Sequence, residues 1–328
     1  MPEHFPIRHH GGMIHLRSIV PDGRTEEVLA GLTGHPGVTN VIVLPGAARD
    51  PAGDVVLCDV AREAADGVIE ELKRFGLAAH GSITMDQVEM SISRAADEAE
   101  RRAPGHGDDA VIWDHLRREL LESTRLTWTF LAFLTLATML AGIAALLDSP
   151  ILIVGAMVLG PEFGPIATIS YGLLFRRWHE IGRAAGTLVV GFALAVAVTF
   201  VCTWAGELLG IVDVARLPEE RPLTGFVYTP DRWSFIVAVL AGAAGVLSLT
   251  SDKSSTLVGV FISVTTVPAA GNLAVALALG HLSEVRGSIL QLLVNVLGMV
   301  VAGVVTLLVQ WCGTRLILKR TAPGSRGG

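Results

Sequence analysis

The feature that most constrains this chain is an apolar stretch from Asp148 to Phe175, which glycine and proline interrupt at its middle. The stretch is long enough to cross a bilayer, since a spanning helix needs about 20 apolar residues. Proline removes a backbone donor and clashes with the preceding turn, so a regular helix cannot run through the interruption. In hydrocarbon the freed backbone groups need protein or a water-filled cavity beside them. We therefore expect a broken helix at the functional centre, containing Gly160, Pro161, Glu162, Gly164 and Pro165.

A second apolar stretch, from Asp252 to Leu279, repeats the first at an offset of 104 positions. The offset places Gly155 on Gly259, and the breaks at Pro165 and Pro268 agree to within one residue. Each copy holds three apolar segments, and an odd number of crossings turns the second copy upside down relative to the first. Inverted repeats with paired broken helices are typical of secondary transporters, whose solute site lies near the membrane midplane.

The membrane domain is predicted over residues 126–314, with the two copies at 128–205 and 232–309. Basic residues collect in the loops that a cytoplasmic amino end would place inside, whereas the loop from Gly210 to Arg232 is acidic. By the positive-inside rule we expect a multi-pass protein of the cell membrane with both termini in the cytoplasm. The six segments are expected at Leu126 to Leu147, Ile151 to Phe175, Gly186 to Ile211, Trp233 to Thr250, Thr256 to Leu279 and Ile289 to Cys312.

The composition is that of an integral membrane protein with a soluble part. Of the 328 residues 51% are hydrophobic and 17% are charged, and the mean hydropathy is +0.55. The net charge of −6 argues against nucleic acid as a partner. Three cysteines, an odd number, indicate neither a disulfide framework nor a metal site. The sequence lacks a GxSxG elbow, a phosphate-binding loop and an HExxH motif, so we expect no enzyme activity and no cofactor.

Residues 13–90 are predicted to form a cytosolic α+β domain in the order βαββαβ, the ferredoxin-like arrangement. Alternating apolar residues and turn residues mark its strands, and amphipathic patterns mark its helices. The strands are expected at Ile14 to Val20, Val38 to Leu44, Val55 to Val60 and Leu77 to Thr84, and the helices at Thr25 to Leu32 and Arg62 to Phe75.

This domain resembles the small ligand-sensing domains called ACT domains. In those domains the turn from the first strand to the first helix often contributes to an effector site, and here that turn contains Asp22, Gly23 and Arg24. The alternative is a packing and oligomerisation domain, in which Asp22 or Thr25 simply caps a helix. In either case we expect a homo-oligomer.

Two amphipathic helices, Met85 to Arg102 and Val111 to Arg125, are expected to link the soluble domain to the membrane, within or next to residues 91–125. The second helix either lies on the inner leaflet or packs on the soluble domain. Residues 1–12 are expected to be a flexible terminus, and residues 315–328 a cytosolic tail. His9, His10 and His15 lack a cysteine or carboxylate at ligand spacing, so we predict no metal site.

Two motifs that occur in order indicate a family. VGAMVLGPEFGP begins at Val154, and GAAGVLSLTSDKSSTLVGVFISVTTVPAAGN begins at Gly242. Together they resemble the uncharacterised hydrophobic membrane proteins grouped as domain of unknown function 389, over about residues 128–308. The resemblance implies a shared membrane core and gives no substrate.

Glu162 is the strongest candidate for a functional side chain, because an ionisable group at membrane depth is costly and is a functional hypothesis by default. It would bind a proton or a cation, or else pair with an arginine such as Arg176 in another subunit. Asn272, Gln291 and Asn295 would line the same cavity, or form ordinary hydrogen bonds between helices.

Asp148 and Asp252 occupy equivalent positions where the two broken stretches begin. We expect them to cap these helices, because acid is favoured near a helix amino end. The alternative is a role in ion gating.

Two functions remain open at this point. The first is a transporter or channel, whose partners are the lipid bilayer and an unknown small solute or ion. The second is a membrane-anchored sensor or scaffold without transport activity. Helix amino ends would suit an anion and Glu162 a cation, so the charge of the solute is undecided.

Overall fold

The computed structural model describes residues 12–88, 91, 93–103, 110–211, 221–251 and 266–321. These residues belong to two compact units: Met1–Asp114 with Gln310–Gly328, and His115–Val309. The predictions for Asp252, for His9 and His10, and for the first half of the second broken stretch lie outside the described residues.

The first unit contains a four-stranded antiparallel sheet with helices. The strand order is β2-β3-β1-β4, so the first strand lies between the third and the fourth. Its elements are β1 (Met13–Val20), α1 (Thr25–Leu32), β2 (Val38–Arg49), β3 (Ala52–Ala61), α2 (Arg62–Arg74), α3 (Leu77–His80), β4 (Ser82–Gln87) and α4 (Arg94–Arg102).

The core of this unit follows from the alternation of its strands and the apolar faces of its helices. In β1, Ile14, Leu16 and Val20 are buried, and Val28 of α1 and Leu72 of α2 belong to the same cluster. Successive side chains of a strand point to opposite faces, so one face of β1 can enter the core as a whole.

The last strand and the helix after it begin later than the sequence suggested. The strand was expected at Leu77 to Thr84, but residues 77–80 form a helical turn and β4 begins at Ser82. Gly81 passes so close to the carbonyl oxygen of Ile19 that a Cβ there would clash, and the chain pairs with β1 only from that point. The helix expected from Met85 begins at Arg94, where Ser93 caps it by accepting a hydrogen bond from the N–H of Ala96.

The second unit is helical. Its first helix, α5, begins at the boundary between the units. The elements are α5 (Trp113–Ser123), α6 (Trp128–Leu146), α7 (Pro150–Leu159), α8 (Phe163–Phe175), α9 (Trp178–Leu208), a short 3-10 helix (Gly225–Val227), α10 (Arg232–Thr250), α11 (Thr266–Ala278) and α12 (Leu282–Thr321). The final residues of α12 belong to the first unit.

Four of these helices, α6, α9, α10 and α12, are long and apolar enough to cross a membrane. α7 and α8 pass the same test as a pair that bends by 57°. At 1.5 Å per residue the two halves are about 15 and 20 Å long, and at this bend they reach about 30 Å end to end, the thickness of a hydrocarbon core. The described part of the chain therefore holds up to five spans, and α11 is a shorter apolar helix.

Two helices begin earlier than the hydropathy pattern predicted. The expected starts were Gly186 and Ile289, but α9 begins at Trp178 and α12 at Leu282. Their first turns contain charged residues, among them Glu180 and Glu284, which a hydropathy pattern counts against a span.

Two pairs of helices in the second unit recur at the same spacing. α6 and α10 both have 19 residues and begin 104 positions apart. The starts of α9 and α12 are also separated by 104 positions. Thr127 caps α6 and Asp231 caps α10, each by accepting a hydrogen bond from a backbone N–H three residues later.

Candidate functional site

The break between α7 and α8 is shorter than the sequence suggested. α7 ends at Leu159 and α8 begins at Phe163, so only residues 160–162 lie between the helices. The carbonyl of Glu162 accepts the first backbone hydrogen bond of α8, from the N–H of Ile166 at 3.3 Å. Pro165 is the third residue of α8, where a helix has no internal partner for an N–H. The proline is therefore accommodated inside the helix.

Glu162 lies in this break with its side chain buried. Glu162 is 5% exposed. One of its carboxylate oxygens, Oε1, accepts a hydrogen bond from the hydroxyl of Thr266 at the start of α11. Among the described residues, no hydrogen-bond donor reaches the other oxygen, Oε2. A buried carboxylate with one free oxygen has room for another ligand or a proton, because an ionised carboxylate can accept several hydrogen bonds.

Gly160 leaves the space that the carboxylate of Glu162 occupies. A Cβ at position 160 would overlap Oε2 of Glu162 and would lie 2.8 Å from a methyl group of Val267. The glycine thus brings the end of α7 against the carboxylate and against α11.

Phe163 and Gly164 fix the start of α8 by close packing. A Cβ at Gly245 in α10 would lie 2.6 Å from a ring carbon of Phe163, so the ring fills the space above that glycine. A Cβ at Gly164 would lie 2.6 Å from the side chain of Ser123 at the end of α5. Small residues allow helices to approach in this way.

Asn272 belongs to a different cluster from Glu162, although it lies on the same helix as Thr266. Its amide oxygen accepts a hydrogen bond from Arg221 at 2.7 Å, and its amide nitrogen donates to Glu284 at 3.2 Å and to Ser288 at 2.9 Å. The six residues from Thr266 correspond to about 9 Å of helix rise. The hydrogen bonds of Asn272 to Arg221, Glu284 and Ser288 therefore do not place it with Glu162, in contrast to the cavity expected from the sequence.

Arg221 is the centre of this second cluster. Its side chain is fully buried and forms an ion pair with Glu284, and its guanidinium lies 4.5 Å from the ring centroid of Tyr228. A fully buried arginine is tolerated when it is paired and hydrogen-bonded. Asn272 and Glu284 provide those contacts.

A matching ion pair joins Arg117 of α5 to Glu180 of α9. The guanidinium of Arg117 donates to Oε1 of Glu180 at 2.7 and 3.1 Å, and Arg177 lies 3.5 Å from the same oxygen. Arg117 and Glu180 are 63 positions apart in the sequence, and so are Arg221 and Glu284.

Gln291 and Asn295 are buried on α12. Gln291 lines a cavity of about 340 Å³ between α7, α10 and α12, which is mainly apolar. Met157 and Val237 are among the other residues of its wall. The lining residues do not include Glu162.

Asp148 holds a loop and does not cap α7. Its carboxylate accepts hydrogen bonds from the backbone N–H of Thr224 at 2.9 Å and from the hydroxyl of Thr224 at 2.7 Å. Ser149 is the N-cap residue of α7, and its side chain makes no capping bond. The φ of Asp148 is +45°, a left-handed conformation that directs the chain into α7.

One residue of the turn that was expected to bind an effector has a structural role. Arg24 donates a hydrogen bond at 2.6 Å to the carbonyl of Phe75, which follows the end of α2. Gly23 has a φ of +82°, and Asp22 is exposed. Neither Asp22 nor Thr25 caps α1, because the N-cap residue is Arg24 and Thr25 donates to Asp54 instead.

His15 contacts a carboxylate, but the described residues contain no group of three metal-ligating side chains. Its Nδ1 lies 2.8 Å from Oδ1 of Asp59. The other oxygen of Asp59 accepts a hydrogen bond from the side-chain amide of Asn40.

The break, the Glu162 contact and the Arg221 cluster all lie between α7 and α12, and comparison with known proteins covers this region. A family model described as Domain of unknown function (DUF389) matches residues 157–301. The resemblance to DUF389 is confirmed. The DUF389 match contains Glu162, Thr266, Arg221 and Glu284.

A relative is consistent with this assignment. The chain is 22% identical over 238 residues to an uncharacterised protein of Methanocaldococcus jannaschii, covering 73% of this chain and 70% of the relative. No solved structure matches the chain. The resemblance of residues 13–90 to ACT domains stays a prediction.

Sequence reasoning missed Thr266 and the two arginines, Arg117 and Arg221. Each lies 104 positions from an equivalent residue: Thr266 from Glu162, and Arg221 from Arg117. The offset of 104 positions that placed Gly155 on Gly259 was therefore the signal that could have identified all three.

Proposed function

We propose that this protein transports a small cation or a proton across the cell membrane, with its site at the break between α7 and α8. The observation that carries the proposal is the buried carboxylate of Glu162, which bonds to Thr266 and keeps one oxygen without a hydrogen-bond donor among the described residues. A helix that only anchors a soluble domain needs neither a break nor a buried acid.

The recurring spacing of the helices supports the transport proposal. α6, the bent pair and α9 make three crossings, so the second copy begins on the opposite face of the membrane from the first. The equal lengths of α6 and α10, and the offset of 104 positions that separates α6 from α10 and α9 from α12, fit two copies of one unit. Transporters built in this way carry their sites where the copies meet.

The contact between Glu162 and Thr266 fits the meeting point of the two copies. The residues are 104 positions apart, the offset that separates α6 from α10 and α9 from α12, so they lie within one residue of equivalent positions in the two copies. Equivalent residues of two copies touch only near the axis that relates the copies. Glu162 therefore lies where such an axis would place a central site.

The charge of Glu162 favours a cation or a proton as the solute. Carboxylate and hydroxyl oxygens, together with the carbonyl groups at the end of α7, are ligands for hard cations. A proton would need only the free oxygen of the carboxylate. An anion would be repelled by Glu162, which is the only charged residue within the break.

Exposed tryptophans support placing the starts of α6, α9 and α10 at the surfaces of the bilayer. Trp128 and Trp178 begin α6 and α9 and are 83% and 69% exposed, and Trp233 at the start of α10 is 70% exposed. Tryptophan is enriched at the interface between membrane and water. In the proposed topology Trp128 and Trp178 lie at the cytoplasmic face with both termini, and Trp233 lies at the external face.

The test is thermal stabilisation of the purified protein by a screen of inorganic cations at several pH values. A ligand at 100 times its dissociation constant adds about 2.7 kcal/mol of stability. We expect a stabilising cation or pH whose effect is lost in Glu162→Gln and retained in Glu119→Gln, which changes an exposed glutamate of α5. Stabilisation that survives Glu162→Gln would place the ligand elsewhere, as in a sensor. Proteoliposome flux of the stabilising ion then distinguishes transport from binding.

A further inference from the structure

We infer that the ion pairs Arg117–Glu180 and Arg221–Glu284 are two gates of the proposed transporter, one at each face of the membrane, which open alternately. The inference rests on the proposed function, because gates matter only if a solute passes. It assigns a role to four charged residues that lie outside the central site.

The two pairs occupy equivalent positions in the two copies. Arg117 and Arg221 are 104 positions apart, as are Glu180 and Glu284, and 63 positions separate the partners within each pair. An ion pair that arose by chance in one copy would have no counterpart at the same offset. The recurrence indicates a part that both copies need.

Each pair connects the same elements of its copy. In the first copy, Arg117 lies on α5, before the first spanning helix, and Glu180 lies in the first turn of the third, α9. In the second copy, Arg221 precedes α10 and Glu284 lies in the first turn of α12. Because the copies are inverted in the proposed topology, the first pair lies at the cytoplasmic face and the second at the external face.

The external pair is more deeply buried than the cytoplasmic pair. The side chains of Arg221 and Glu284 are 0% and 14% exposed, compared with 37% and 9% for Arg117 and Glu180. Asn272 bonds to both partners of the external pair and so joins it to α11. The structure thus corresponds to a state in which both faces are closed. The external pair is held more firmly, because it is more buried and is bonded to Asn272.

A line of buried polar residues runs along α12 behind the external pair. Ser288, Gln291 and Asn295 follow Glu284 at intervals of four, three and four residues, the spacing of one helix face, and all three are at most 2% exposed. At 1.5 Å per residue this line runs about 16 Å from Glu284 toward the middle of the membrane. In the first copy the equivalent residues are Ala184, Thr187 and Gly191.

These features describe alternating access. When Arg221 and Glu284 separate, the start of α12 is released from α11 and the polar face of α12 opens to the outside. When Arg117 and Glu180 separate, the start of α9 is released and the cytoplasmic side opens. The closed pair on one face supports the opening on the other face, because the two copies share the contact between Glu162 and Thr266.

Cysteine accessibility in membrane vesicles of known sidedness tests the gates without knowledge of the solute. Cys58, Cys202 and Cys312 are first replaced by serine. Two buried reporters are then introduced separately. These are Ser288→Cys behind the external pair and, at the equivalent position, Ala184→Cys behind the cytoplasmic pair. A membrane-impermeant maleimide is applied from either side.

We expect Glu284→Gln to raise the labelling rate of the external reporter about tenfold, a shift of about 1.4 kcal/mol between closed and open states. Glu180→Gln is expected to do the same for the cytoplasmic reporter. Glu119→Gln should change neither reporter.

Two results would overturn the inference: no change in labelling, or increased labelling of both reporters in one single variant. If the Glu284→Gln variant does not reach the membrane, Glu284→Asp replaces it. Aspartate keeps the charge but has a shorter side chain, so the labelling rate of the external reporter should again increase. A cation response that depends on Glu162 would leave the proposed function standing even if the gates fail. Gates that respond as expected, without any cation response, would support the inference and point to a different solute.

Discussion

The hydroxyl of Thr266 donates a hydrogen bond to the carboxylate of Glu162, although the two residues are 104 positions apart. Glu162 lies at the break between α7 and α8, and Thr266 is the first described residue of α11. One hydrogen bond therefore joins the second apolar stretch to the break in the first.

Removing the donor of this bond should destabilise the protein. Thr266→Val is expected to lower the free energy of unfolding by about 1 to 3 kcal/mol, because it leaves a buried carboxylate without that hydrogen bond. Thr266→Ser keeps the hydroxyl and is the matched control. The measurement is thermal unfolding in detergent. If Thr266→Val costs as much in a Glu162→Leu background as in the natural sequence, the hydrogen bond contributes nothing.

Adding a methyl group at Gly160 should displace the carboxylate of Glu162. A Cβ there overlaps Oε2, so Gly160→Ala is expected to cost about 1 to 3 kcal/mol of stability, as overpacking does. Gly186→Ala is the control, because no atom lies within 4 Å of a Cβ at that exposed position of α9. In the control, alanine should stabilise the helix by about 0.5 to 1 kcal/mol. Equal melting temperatures for the two variants would contradict the proposed crowding.

The packing of Phe163 on Gly245 should show compensation between two substitutions. Gly245→Ala places a methyl group 2.6 Å from a ring carbon of Phe163 and should lower the melting temperature. Phe163→Leu alone loses buried volume and should also destabilise. Together the substitutions exchange volume between the two positions, so the double variant should be more stable than the sum of the single losses predicts. Additive losses would mean that the ring and the glycine do not pack as described.

In the first unit, stability should depend on the protonation of Asp66. Burial raises the pKa of Asp66 to about 6, although its carboxylate also accepts a hydrogen bond from the N–H of Trp113 at 3.3 Å. An unfolded aspartate has a pKa of about 3.9. Between about pH 4 and pH 6 the folded state therefore holds the proton more tightly, and stability falls as the pH rises through this range.

Asp66→Asn removes this penalty and can keep the acceptor for the N–H of Trp113. We expect it to stabilise the sheet unit by about 1 to 3 kcal/mol at about pH 7.5 and to have little effect at about pH 4. Hydrogen exchange of the strand amides in the full-length protein, measured at both pH values, would report the difference. A stabilisation that does not change with pH would rule out titration of Asp66 as the cause.

The elements that could be predicted from the sequence are those with a local physical cause. A continuous apolar run of 19 residues suffices to define α6 and α10, and proline within an apolar run suffices to locate the break beside Glu162. In the first unit the alternation of β1 and the amphipathic pattern of α2 were also sufficient.

The remaining features depend on contacts between residues far apart in the sequence. The starts of α9 and α12 were placed too late because Glu180 and Glu284 lower the hydropathy, whereas in the structure both glutamates form ion pairs with arginines that lie far from them in the sequence. Likewise, the sequence offered capping as the simplest role for Asp148, whereas the structure uses its carboxylate to hold Thr224.

Pro165 keeps the bend between α7 and α8 from straightening. Extending α8 backward through residues 160–162 would require an N–H at position 165 and would push the proline ring against the preceding turn. The bent pair therefore cannot straighten into one continuous helix during a working cycle. Any motion at Glu162 must come from tilting of α7 and α8 together, with the angle between them unchanged. The carboxylate would therefore move with the bent pair as one rigid unit.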